Sequence, residues 1–160
     1  MAVILAMVAN PLIAGNLDLF LQNSARLDES TIEAFRAELG TILAASGRPA
    51  VFTIWRPGIV TIILRREPPE AETSALGGTR IRNGRLVPEI ELFVAPTAQM
   101  VGTRLPAVLG RALARVATHE LGHWLSEGSR HSPHGVMMER LSAAHLMAPD
   151  RGFFRLPPGD

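Results

Sequence analysis

His119, Glu120 and His123 stand in the order His-Glu-x-x-His within "ATHELGHWLSEGSRHSPHGVMM", residues 117–138. On an α-helix, residues i and i+4 share a face, so the two imidazoles can turn one nitrogen each toward a single ion while Glu120 lies at the rim beside them. Nitrogen donors in that arrangement suit zinc. With three protein ligands, a fourth position is left for water, whose pKa zinc brings to about 7, and an adjacent carboxylate can take its proton. Glu120 is the candidate general base. Gly122, between the histidines, lets this helix pack closely against another element at some cost in helix propensity.

A third ligand has to come from downstream, where His131, His134, Glu127, Glu139 and His145 are available. A helix that ends at Gly128 can reverse through a left-handed glycine and return a side chain beneath the ion. His131, three residues later, is the best placed.

The segment "HELGHWLSEGSRHSPHGVMM" resembles the zinc-binding segment of the metzincin peptidases, HExxHxxGxxH followed by a methionine-containing turn, and its "HS…VM" ending is most similar to matrixins. The resemblance implies His119, His123 and His131 as zinc ligands, Glu120 as general base, and Met137 beneath the metal, with Met138 competing for that place. The chain departs from the family in its spacer. Seven residues separate His123 from His131, where the family has five, and Ser126 stands at the family's glycine position. The turn is therefore two residues longer, with Gly128 making the reversal.

The elements that must position these residues are legible as hydrophobic periodicity. From Pro106 to about Leu125, the residues Leu109, Leu113, Val116, Ala117, Leu121 and Trp124 form one apolar stripe, so the motif occupies the last two turns of a helix. "STIEAFRAELGTILAASG" reads as a second amphipathic helix, capped by Ser30 or Thr31 and stopped at Gly47 and Pro49. "AVFTIW" and "IVTIILRR" read as neighbouring strands separated by "RPG". A short strand is expected over 79–82, a hairpin turn at Asn83-Gly84, and an alternating strand in "PEIELFVAP", which its flanking prolines place at a sheet edge. "ERLSAAHLM" reads as a short helix in an otherwise irregular C-terminal part. Trp55 and Trp124 read as core or cleft wall.

With 160 residues, 47% of them hydrophobic and 19% charged, the chain is of a size for one packed domain. The expected fold is α+β and metzincin-like: a twisted mixed sheet with an antiparallel edge strand, two main helices and an irregular C-terminal part. Residues 1–15 read either as a signal-like segment or as a buried apolar element, and 16–160 as a single metallopeptidase-like domain. "MAVILAMVANPLIAG" is short for a membrane span. If it acts as a signal the protein is secreted or periplasmic; otherwise it is cytoplasmic. With no cysteine, any metal falls to His, Asp or Glu.

The formal net charge of +1 and the scattered arginines, read as solvated faces, do not suggest nucleic acid as a partner. The function expected is zinc-dependent endopeptidase activity on a peptide or protein aligned along the strand over 89–95, by strand addition. The alternative is a metal-binding or degenerate metzincin-like protein that serves a partner without turnover. A metal-dependent nucleic-acid hydrolase is a third reading, opposed by Glu120 and the near-neutral charge.

Overall fold

The structure is a computed structural model, described here for residues 16–54 and 59–157. The expected signal-like segment at 1–15 and Trp55 lie outside the described residues. Five strands form one sheet: β1 (Leu17–Asn23), β2 (Ala50–Thr53), β3 (Val60–Arg65), β4 (Gly77–Arg82) and β5 (Arg85–Phe93), in the spatial order β2-β1-β3-β5-β4. All neighbours run parallel except β4, which pairs antiparallel with β5 and forms one edge.

Two long helices, α1 (Glu29–Ala45) and α3 (Pro106–Leu125), pack on the sheet; α2 (Val94–Val101) and α4 (Ala143–Met147) are shorter. The core lies between them, where Leu19, Ile62, Leu64, Ile90 and Leu92 of the sheet meet Phe35, Leu39, Leu113, Val116 and Leu121 of the helices. The opposite face of the sheet carries a ladder of partly exposed ion pairs, Arg65 to Glu91 and Arg80 and Arg82 to Glu89. Such pairs contribute about 0–1 kcal/mol each.

Several expectations change in the fold. β2 and β3 are not neighbours, because β1 runs between them. The strand in "PEIELFVAP" is not an edge: β5 is bonded to β3 on one side and β4 on the other, and helix α2 begins at Val94. Pro88 lies inside β5. The register slips there, from Thr79 opposite Ile90 to Ile81 opposite Leu86, so a residue without an N–H sits where the ladder is already broken.

Other expectations hold in the local geometry. Asn83 and Gly84 take positive φ of 51° and 74°, as a tight two-residue hairpin requires. The α1 cap, however, is Asp28, whose carboxylate accepts from the Thr31 amide at 2.8 Å.

Arg115 is not a solvated residue. Its side chain is fully buried on α3, where Nε donates to Glu38 at 3.0 Å and Nη1 donates to the His145 carbonyl at 2.8 Å. Arg151 donates to the other Glu38 oxygen at 2.8 Å. This network ties the C-terminal part to α1 and α3, so the chain that follows the metal motif is fastened to the helix that carries it.

Candidate metal centre

Helix α3 delivers His119, Glu120 and His123 to one place, each with less than a tenth of its surface exposed. His119 Nδ1 lies 2.6 Å from the Val136 carbonyl and His123 Nδ1 lies 3.0 Å from the Gly128 carbonyl. A carbonyl only accepts, so both Nδ1 atoms carry the proton and both Nε2 atoms are left with a lone pair. Those two Nε2 atoms face each other at 3.0 Å. Burial pushes the pKa of both rings down, and for His123 the neighbouring His119 pushes it further. Two neutral rings with opposed lone pairs repel unless a cation lies between them.

His131 completes the cluster from the loop that follows. One nitrogen from each of His119, His123 and His131 lies within 4.8 Å of the others. Tetrahedral zinc at ~2.0–2.1 Å from each nitrogen needs donors roughly 3.3 Å apart. The buried pair meets that spacing, and His131 is exposed, so rotation of its ring can close the set. The donor chemistry and the spacing therefore fit zinc.

The reversal after α3 is not made by a left-handed glycine at 128. Glu127 takes the left-handed conformation, with φ of 49°. Its amide bonds the Trp124 carbonyl at 3.2 Å, and the Gly128 amide bonds the His123 carbonyl at 3.1 Å, the paired bonds of a Schellman ending. The same turn aims the Gly128 carbonyl at His123 Nδ1, so one local motif both stops the helix and orients the His123 ring.

Of the two methionines, Met137 is the one packed against Gly122 of α3. A Cβ built on Gly122 would collide with Met137 Sδ and approach Leu156 Cδ2 to 3.4 Å. The close packing expected of Gly122 is thus against the methionine turn itself, and Val136 in that turn supplies the carbonyl held by His119. Among the described residues, the other ligand candidates do not join this cluster. His145 stacks on Phe153, with ring centroids 4.4 Å apart, and its Nδ1 accepts from the Ser142 amide in a capping box. His134 and Glu139 are exposed.

Glu120 is pressed against the edge strand. Burial raises its pKa, opposed by a hydrogen bond from Thr79. Thr79 Oγ1 is 3.0 Å from Glu120 Oε2 and 3.1 Å from the Glu120 carbonyl. Sequence reasoning missed Thr79, and the signal available was Gly77, two residues earlier, since glycine in a strand marks a close backbone approach.

With this geometry in view, the solved structures provide a comparison. The crystal structure of archaemetzincin from Methanopyrus kandleri superposes with a TM-score of 0.58 at 16% identity, covering 85% of this chain and 88% of that one. The chain has a metzincin-like fold. The likeness found is to an archaemetzincin, so closeness to matrixins rests on the motif alone. No family model and no curated protein matches the sequence. No helix among the described residues is long and apolar enough to cross a membrane.

Proposed function

We propose that this protein is a zinc-dependent endopeptidase, with His119, His123 and His131 as the metal ligands and Glu120 as general base. The observation that carries the reading is the pair of buried Nε2 atoms opposed at 3.0 Å, with His131 beside them and a buried carboxylate next in sequence. When bound, zinc supplies the Lewis acidity that acidifies water and polarises a carbonyl. Glu120 takes the proton of the attacking water and returns it to the leaving amine. Burial keeps its carboxyl pKa above the ordinary carboxylate range, nearer the pH at which a base can also act as an acid.

The substrate strand is reassigned from residues 89–95 to β4. Among the described residues the sheet has two free edges, β2 and β4, whereas both edges of β5 are paired, and β4 is the free edge that lies beside Glu120, so it is the one assigned to an extended peptide. Substitution of Glu120 by Gln tests the reading. Turnover of an unstructured peptide should fall by about 10²–10⁴-fold with bound zinc unchanged.

A second reading, metal binding in the service of a partner, is favoured by the exposure of His131 on its lengthened loop. In that case the zinc-loaded wild type shows no turnover, and Glu120→Gln leaves partner binding intact. Export through residues 1–15 is a separate proposal, tested by the mass of the mature chain recovered from its host.

A further inference from the structure

Thr79 lies on β4, two residues after Gly77 and on the same face. At Gly77 the strand comes so near α3 that an added Cβ would sit 2.9 Å from Val116 Cγ1 and 3.2 Å from Glu120 Cγ. The glycine permits this approach, and the approach brings the Thr79 hydroxyl within hydrogen-bond distance of Glu120. Immediately after Thr79 the β4–β5 register breaks, a feature that commonly re-aims a side chain beside a functional site.

The hydroxyl spans the two ends of one residue, the Oε2 atom and the main-chain carbonyl of Glu120, and shares its single proton between them. Glu120 Oε1 has no hydrogen-bond partner among the described residues. A glutamate has three side-chain torsions, and anchoring one carboxylate oxygen removes most of that freedom while leaving the other oxygen available.

We propose that Thr79 is the positioning residue of Glu120: its hydroxyl holds Oε2 so that Oε1 is presented for proton transfer. This rests on the peptidase reading of the site. It also places the control of the base on the strand whose free edge is assigned to the substrate, so the two are set by one piece of backbone.

The test uses the cobalt(II)-loaded full chain, with acetohydroxamate and azide as probes followed in the visible spectrum. Acetohydroxamate carries a proton that a positioned carboxylate can accept, whereas azide binds the metal with none to give. Thr79→Val keeps the shape of the side chain and removes its donor; Thr79→Ser keeps the donor.

The expected result is an affinity for acetohydroxamate about tenfold weaker in Thr79→Val, with azide affinity and metal content unchanged, and recovery in Thr79→Ser. Where peptide turnover is measured, kcat falls by a similar factor and KM stays constant. Equal acetohydroxamate affinity in the wild type and Thr79→Val overturns the proposal, and so does equal loss of both probes or failure of serine to rescue, since these assign the effect to strand placement. A wild type that takes up no cobalt fails at the earlier step and overturns the metal-site reading itself.

Discussion

His119 and His123 are held at Nδ1 by main-chain carbonyls from two different turns, which leaves the Nε2 lone pair of each free for a metal. The helical spacing of those histidines was readable in the sequence, but the carbonyls that orient them were not, because they belong to residues whose side chains say nothing of their role. In the metal-free protein, burial keeps both imidazoles below their ordinary pKa of 6.5. The unfolded chain then binds more protons than the folded one between the lowered values and 6.5, so stability is complete above that window and is lost as the pH falls through it. Glu120 acts with the opposite sign: its pKa is raised above 4.5, so its contribution is present at low pH and lost as the pH rises. Urea midpoints with chelator present should therefore be compared in a Glu120→Gln background, where they are expected to drop on acidification below 6.5, and to drop less when both histidines are Gln. Glu127 is a second test at this scale. A left-handed residue other than glycine costs about 1–2 kcal/mol, and glycine costs about 0.5–1 kcal/mol in chain entropy, so Glu127→Gly should stabilise the protein by roughly 0.5 kcal/mol in chemical denaturation.

The elements with a strong period were the legible ones. α3 follows its apolar stripe from Pro106 to Leu125, and the β4–β5 hairpin follows Asn83-Gly84. Strand order was not legible. β1 lies between β2 and β3 although it precedes both, a consequence of parallel crossovers that local pattern does not encode. Nor did Pro88 mark a strand end, since the register slip in β5 absorbs it. The contact between α1 and α3 also depends on a single small residue. A Cβ at Gly110 would lie 2.5 Å from the Thr31 carbonyl and 2.8 Å from the Phe35 amide nitrogen, both of them backbone atoms that cannot rotate away. Gly110→Ala should therefore separate the two helices and cost about 3 kcal/mol or more, seen as a lowered thermal midpoint.

Across the whole molecule, the metal motif and the C-terminal part behave as one unit, joined by Arg115. Composition could not reveal that one of many arginines is fully buried, because only the fold places Glu38, Arg151 and the α4 carbonyls around it. Removing one partner of a buried pair leaves the other charge stranded, so Arg115→Met should destabilise by about 3–5 kcal/mol. Replacing Glu38 and Arg115 together with apolar residues should recover much of that loss, read from a double-mutant cycle in urea. The central claim concerns the end of α3, where a turn two residues longer than the metzincin pattern still returns His131 to the pair. The most direct measurement is the zinc content of the dialysed full-length protein beside His131→Ala. The account predicts about one zinc per chain in the wild type and a clear loss in the variant. A wild type that holds no zinc after reloading, or zinc content indifferent to His131, would contradict it.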